Sequence, residues 1–488
     1  MLLVPKLNLG TSGQSVFAVC ALLIVCMCGP AAGQLEISVS PSPVGAGARA
    51  AGMADAFVAI ADDATAASWN PAGLTQLERP ELSIVGSYNG IFEECSADFH
   101  DEVDSKHHDD NLDLNYLSAV YPLPFLVLNR NVCLSLNYQR KYDFSRKFRL
   151  RYNTASATTG GTPANSFLTM AFEQEGGLST ITPAVACEIT RRISVGLSLN
   201  LWRSSLLSDN SWTQTTQSNR IAFFGPATFI SSSREREEYS DLSGENLTAG
   251  ILWNLTNRWS LGARYDSAFT GEADYHRIGN TLKVSLPSVA FPSASLTAGS
   301  EIRRETRHIR LPDSVAVGAA FRVNDRLTLS LDVTRTDWND FYVRDAEGIR
   351  RSLVDFSNLE DPWTRPHFDP TYTVRLGAEY IFIPKRRDEE LNTLWTLRAG
   401  LFYDEEPATG KASPREFRLL DDTGSGEPDK FYGLALGCGL LTHQRVNLDA
   451  AYQLRCGDGV NSDFIRGMTG FSERVLQHRF LLSTVIYF

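Results

Sequence analysis

The sequence predicts an all-β fold, a transmembrane antiparallel β-barrel of about 14 strands with an N-terminal hatch in its lumen. Three observations predict it. Apolar and polar residues alternate in segment after segment beyond residue 80. These segments run about ten to fourteen residues, the length a tilted membrane strand needs. Long connections alternate with very short ones, as in outer-membrane barrels.

The chain has 488 residues and a formal net charge of −11. Nucleic acid is therefore not an expected partner, since phosphate backbones select clustered Lys and Arg. Lys6 precedes an apolar run from Val16 to Cys28, followed by Gly29-Pro30-Ala31-Ala32-Gly33. That order predicts a secretory signal peptide over residues 1–33, with maturation near Gly33-Gln34. No later apolar stretch approaches the length of a membrane helix. Cys20, Cys26 and Cys28 leave with the signal, while Cys95, Cys133, Cys187, Cys438 and Cys456 remain. Their spacing fits no zinc or redox motif, so they read as scattered small hydrophobes with at most one disulfide, and no metal site is expected.

Within Arg445–Arg455, Val446, Leu448, Ala450, Tyr452 and Leu454 share one face, and Asn447, Asp449, Ala451, Gln453 and Arg455 the other. Leu327–Thr334 repeats the pattern. Successive strand side chains point to opposite faces, so each segment has a greasy and a wet side. The expected strands are 81–91, 112–121, 131–142, 179–190, 193–206, 243–256, 259–269, 312–323, 327–338, 371–382, 394–407, 431–441, 445–457 and 478–488. Aromatic residues near strand ends, among them Tyr121, Trp202, Trp259, Trp338, Tyr380 and Phe382, read as interfacial girdles. The chain finishes with Phe480, Leu482, Thr484, Ile486 and Phe488 on one face, similar to the closing strand by which barrel-assembly machinery recognises its clients. In hydrocarbon every backbone donor and acceptor must be paired internally, which forces the sheet to close.

A barrel of this size is too wide for wall side chains alone to fill. Residues 34–80 lie between the signal and the barrel of 81–488, and they are long enough to enter the lumen as a hatch. Ala50–Ile60 can form a short helix, and Asp62 or Asp63 can cap a second through Ala67. Asn70 before Pro71 is pushed out of the helical region, which stops that helix.

The stretch GARAAGMADAFVAIADDATAASWNPAGL, Gly47 to Leu74, resembles the N-terminal hatch of the long-chain fatty-acid transporter family (FadL and TodX type). Asn70, Pro71 and Ala72 match that family's hatch motif. The resemblance implies outer-membrane transport of hydrophobic compounds such as long-chain fatty acids. It implies capture at the extracellular mouth, a pocket above the hatch, and escape through a gap made by a kink in the third strand. Here that strand, Asn131–Asp143, holds no Gly or Pro, so no kink is written in its sequence. The same opening resembles PorV-type barrels that serve protein secretion or surface attachment, which is the alternative reading. The expected partners are a hydrophobic small-molecule ligand, outer-membrane lipid with lipopolysaccharide, and the assembly machinery. No cofactor is expected.

The expected lumen-facing charges include Arg264, Asp266, Asp332, Arg375, Glu379, Arg398, Asp404, Asp449 and Arg455. They read first as ion pairs that stiffen the wall and hold the hatch. One Arg near the hatch could also meet a ligand carboxylate. Phe92–Asp110, with His100, His107 and His108, reads as a solvated acidic loop, and Ser231–Leu242 as exposed loop charge. No Gly-x-Ser-x-Gly elbow, His-Glu-x-x-His or P-loop is present, and neither His443 nor His478 has an evident serine partner. The chain reads as a non-enzyme.

Overall fold

The computed structural model describes residues 46–98, 100–126, 130–157, 163–207, 209–224, 227–286, 293–338, 341–351, 368–383, 393–408, 427–462 and 470–488. The expected signal segment 1–33 and residues 34–45 of the expected hatch lie outside them. The strands are β1 (Glu81–Ser96), β2 (Ser105–Pro122), β3 (Val132–Asp143), β4 (Arg146–Ala157), β5 (Pro163–Thr190), β6 (Ile193–Trp202) and β7 (Ser211–Phe224). They continue with β8 (Ala227–Asn254), β9 (Trp259–Asp266), β10 (Phe269–Leu286), β11 (Ser295–Leu311), β12 (Ser314–Arg322), β13 (Leu327–Thr336) and β14 (Tyr342–Arg344). The last are β15 (Arg350–Arg351), β16 (Thr371–Phe382), β17 (Thr393–Glu406), β18 (Asp429–Thr442), β19 (Val446–Val460) and β20 (Ser472–Tyr487).

Fourteen of these close a ring in the order β1-β2-β3-β5-β6-β8-β9-β12-β13-β16-β17-β18-β19-β20, every neighbour antiparallel. Closure is complete along the last seam, where Glu81 faces Tyr487 at one end and Ser96 faces Ser472 at the other. These are the fourteen strands expected from alternation. The outward phase is aliphatic: Leu329, Leu331, Val374, Leu376, Leu397, Leu401, Leu434, Leu436 and Leu482 are all exposed. On the closing strand Leu481, Ser483 and Val485 are buried, while Phe480, Leu482, Ile486 and Phe488 face out.

Trp253, Trp259, Tyr380, Phe382, Trp395 and Phe488 are exposed at the short-turn end, and Tyr265, Tyr372 and Tyr432 toward the other. From Tyr372 to Phe382 at about 3.3 Å per residue and a tilt near 40° is roughly 25 Å, the height of an outer-membrane apolar band. Two expected girdle residues do not belong to it. Trp202 and Trp338 are buried. Trp202 continues the inward phase of the buried Ser198 and Asn200, and its position at a strand end did not override that phase.

The long connections differ from expectation. Much of 143–178, 207–242 and 270–311 is strand, because β5 and β8 are 28 residues each and rise far beyond the membrane band. There β5 pairs with β4 and β7, and β8 pairs with β7 and β10. β10 pairs with β11, β11 with β14, and β14 with β15. Ser231–Leu242, expected as loop, is part of β8: Glu235 is ion-paired to Arg277 of β10, and Glu237 accepts a hydrogen bond of 2.5 Å from Tyr275. This ribbon's buried apolar runs are short, as at Phe148 and Leu150 or Phe269, Ala273 and Tyr275, and buried polar residues such as Gln214 and Arg307 share their phase, so the alternation is weak. Cys95, Cys133, Cys187, Cys438 and Cys456 are all free.

An outward residue at mid-band should be the most sensitive to charge. Leu376→Arg, at a position 50% exposed, is expected to destabilise the barrel by about 2–4 kcal/mol, the depth-dependent cost of a cation in lipid. Urea unfolding in liposomes measures it, and the same change at Tyr372 should cost less.

Candidate functional site

Residues 46–77 are nearly all buried, and they pack against the inner face of the wall. Small side chains make this possible: Ala46, Ala48, Ala50, Ala51, Ala56, Ala64 and Ala66 are fully buried. Only Ala48–Gly52 is helical in the first part, not the longer helix expected over Ala50–Ile60. Ala54, Asp55 and Ala61 take positive φ and break it. The second helix, Ala66–Trp69, starts from Thr65 and not from an aspartate. Asp63 instead accepts hydrogen bonds from the Thr65 backbone N–H (2.8 Å) and hydroxyl (2.6 Å), which fixes the turn before it.

Asn70 is extended (φ −160°, ψ 103°), as the residue before Pro71 should be, and Pro71–Gln76 is a 3-10 helix. The Asn70 side chain accepts from the Ala72 N–H (3.2 Å) and donates to the carbonyls of Val58 (2.9 Å) and Ile251 (3.0 Å). One amide thus joins two turns of the segment to strand β8. Pro71 and Ala72 are buried with it.

The wall is cut to receive this segment. A Cβ at Gly250 would lie 2.1 Å from Asn70 Oδ1, and one at Gly196, opposite it in register, 2.2 Å from the Pro71 carbonyl carbon. Gly262 and Gly318, also paired, meet Val58 and Ala59, and the pair Gly377 and Gly400 meets Met53 and Ala54. Glycine here is needed for close approach of backbones, not for φ.

The expected lumen charges are inward and buried: Arg264, Arg375, Glu379, Arg398 and Asp449. Three of them form one chain with the segment. Arg49 pairs with Asp62 (2.7 Å) and forks onto Glu379 (2.9 and 3.0 Å). Glu379 also takes Arg398 (2.8 Å), and Arg398 reaches Asp449 (2.7 Å). That last pair crosses strand β18 at Gly439, where a Cβ would lie 2.4 Å from Asp449 Oδ1. Arg264 pairs with Asp266 (2.9 Å) and donates to the carbonyls of Ser68 (3.0 Å) and Trp69 (3.3 Å). Arg375 pairs with Asp404 (3.3 Å), which also draws Arg455 (3.5 Å).

Arg49, Gln453 and Ser118 were not singled out in the sequence, yet each holds the segment. Gln453 donates to the Ala51 carbonyl (3.0 Å), and Ser118 to that of Ala64 (2.9 Å). Arg49 could have been found, because it is the one basic residue between Ala46 and Leu77.

Beyond the segment, toward the long-loop end, lies an aromatic column. Tyr142 stacks on Trp202 (6.0 Å) and Trp202 on Phe269 (4.9 Å); Phe144 meets Trp212 (5.1 Å), which stacks on Tyr239 (4.4 Å). Trp338 and Phe341 belong to the same cluster. Beside it the wall loses its ladder. β2 stays paired with β1 out to Ser105, but with β3 only to Tyr116↔Gln139. Two register shifts flank that point, one bulging Asn115 and one Lys141. The irregularity of the third strand is therefore a bulge, which needs neither Gly nor Pro. Above it side chains bridge the strands: Arg140 pairs with Asp113 (3.1 Å) and Asp143 (3.2 Å), and Asn111 donates to Asp143.

In the acidic stretch Phe92–Asp110, Phe92 stacks on His108 (4.2 Å) and His107 meets Ser105 (3.0 Å). Among the described residues no His, Cys, Asp or Glu cluster could hold a metal. His443 contacts Thr442, and His478 contacts Tyr452.

Removing the shared carboxylate leaves Arg49 and Arg398 facing each other in a buried site. Arg49 keeps Asp62 and Arg398 keeps Asp449, so Glu379→Gln is expected to cost about 1.5–3 kcal/mol, the worth of a charge-assisted hydrogen bond, and not the larger penalty of an orphaned charge. The temperature at which the folded band disappears on unheated-versus-heated gels should fall, and Glu379→Asp should recover part of the loss.

Residues 27–461 match the family described as outer membrane protein transport protein (OMPP1/FadL/TodX). The long-chain fatty acid transport protein of Escherichia coli O6:H1 is 23% identical over 167 residues, 34% of this chain and 33% of that protein. A putative outer membrane protein of Neisseria meningitidis serogroup B is 22% identical over 183 residues, 36% of each chain. The matched segments span about a third of these relatives. A Pseudomonas aeruginosa FadL homologue shares the fold, with a TM-score of 0.55 at 15% identity over 92% of this chain and 99% of that one. With its closed barrel and a match over most of its length, the chain belongs to the OMPP1/FadL/TodX family, transport channels of the outer membrane and not enzymes.

Proposed function

We propose that the chain carries hydrophobic small molecules inward across the outer membrane, through a barrel whose lumen is closed by residues 34–80 acting as a hatch. The observation that supports this most directly is the vertical order inside the wall. An aromatic column stands on the long-loop side, and the small-residue segment carrying Asn70-Pro71-Ala72 is seated next to it on a belt of glycines. An apolar ligand gains about 25 cal/mol per Å² on entering such a column, a gain that lipopolysaccharide sugar and phosphate do not offer it. Outer-membrane lipid meets the aliphatic outer band.

Exit sideways is supported by the break between β2 and β3. A paired ladder would have to surrender backbone hydrogen bonds to open, whereas the stretch above Tyr116 is bridged by Arg140, Asp113, Asp143 and Asn111 side chains. Charged side chains can exchange partners with water, so this seam opens at lower cost than a stretch held by a backbone ladder. The named cargo of the Escherichia coli relative, long-chain fatty acids, is one member of the hydrophobic class proposed here.

Deleting residues 34–80 tests the hatch. Single-channel conductance is expected to rise from near zero to a large, steady value, with heat-modifiable migration retained. Unchanged conductance in a folded barrel would remove the hatch assignment. Co-purification with a stoichiometric protein partner and an empty lumen would favour the secretion-associated alternative.

A further inference from the structure

We propose that the outward face of the extracellular ribbon, at its tip, is where two copies of the chain dock on each other in the outer membrane. The transport reading neither requires this contact nor falls with it.

The outward phase runs on from wall to ribbon. On β5, Val185 and Ile189 are exposed and Ala184 and Ala186 buried; farther up, Met170 and Phe172 are buried and Phe167 is exposed. In register, Phe167, Ile221, Ile230, Val284 and Leu296 form one row across β5, β7, β8, β10 and β11. Phe223 and Leu286 stand in the row beyond it, and Leu282 and Ala298 in the row before it. The remaining positions of these rows, on β5, β7 and β8, are Asn, Thr or Ser, so the three rows hold no charge among the described residues from β5 to β11.

Nearer the membrane the same face is charged, with Glu173, Glu175, Arg234, Arg236, Glu238 and Arg304. Phe167 stands about 30 Å farther out than Ser179, where β5 still pairs with β3, at 3.3 Å per residue and a tilt near 40°. The face is therefore aliphatic in the lipid, charged above it and apolar again at the tip, out of reach of the bilayer. The reverse face of β8, β10 and β11 is polar at this level, with Ser231, Ser233, Thr281, Lys283, Ser295 and Thr297. A sheet with one face in water keeps its apolar face packed. Here the apolar face is the open one.

Size, charge and orientation point to a second copy as its cover. The Phe, Ile and Leu residues of the three rows are exposed between 36% at Ile230 and 70% at Leu296. Together they offer on the order of 600 Å² of apolar surface, the upper end for a monomer's largest patch, and two such patches bury about 1,200 Å², where specific interfaces begin. The chain has a net charge of −11, so most contacts between copies set like charges together, whereas these rows set none. The bilayer holds every copy upright at one height. A two-fold axis along its normal then lays patch on patch, as an isologous contact requires. That fixed orientation also lowers the freedom lost on association.

The test uses two differently tagged copies of the full chain, co-produced in a Gram-negative host, with p-benzoylphenylalanine at position 221 in one of them. Irradiated cells are expected to yield a cross-linked dimer carrying both tags, and the same probe at position 281, on the reverse face, is expected to yield none. Ile230→Arg together with Leu282→Arg should lower the dimer yield about tenfold or more, with heat-modifiable migration unchanged. The proposal is overturned if the probe at 221 gives no adduct, or joins only lipopolysaccharide or a different protein. It is equally overturned if 281 cross-links as well as 221, or if the paired arginine variant leaves the dimer yield intact.

Discussion

Everything in this molecule follows from the demand that backbone hydrogen bonds be satisfied where there is no water. Inside hydrocarbon an unpaired amide costs several kcal/mol, so the sheet has no permitted edge and must meet itself. β1 does this by pairing with β20 over its whole length. Closure at fourteen strands has a second consequence, a lumen wider than its own side chains can span. The interior is then a separate packing problem, solved from the same chain by residues 46–77. The glycines of β6, β8, β9, β12, β16 and β17 are the imprint of that solution on the wall.

What fastens the segment is polar. Its apolar groups are mostly alanine methyls, which bury little area each, and Phe57, Trp69, Met53 and Leu74 supply the larger contacts. Specificity of seating comes from Arg49 on Glu379, Asp332 on the Val58 N–H (2.7 Å), Arg264 on two carbonyls and Asn70 on Ile251. Buried ion pairs of this kind add little net stability against an apolar alternative, but removing one member is expensive. Such a contact holds one geometry firmly and can still be exchanged as a unit. Those are the mechanical properties a movable closure needs.

Much of this was legible in the residues. All fourteen wall strands were marked by period-two alternation, because lipid on one side and a polar lumen on the other enforce it. The buried positions of Arg264, Arg375, Glu379, Arg398 and Asp449 fall on the inward phase of the same alternation. The extracellular ribbon of β4, β7, β10 and β11 was not legible, since its buried apolar runs are short, as at Phe148 and Leu150 or Phe269, Ala273 and Tyr275, and share their phase with buried polar residues such as Arg146, Gln214 and Arg307. Trp202 and Trp338 were misread because their location at strand ends was given more weight than their phase. The bulge at Lys141 leaves no trace in composition: inserting one residue into a strand is visible only in the register of its neighbours. Pairings across the lumen, such as Arg49 with Glu379, join residues 330 apart and depend on closure itself.

The central claim is that residues 46–77 are locked inside a closed cylinder. Hydrogen–deuterium exchange of the protein in nanodiscs, read by mass spectrometry, tests it most directly. The account predicts that peptides from 46–77 exchange as slowly as those of wall strands such as β13 and β16. Exchange of that segment at the rate of a free tail, with the wall strands still protected, would contradict it.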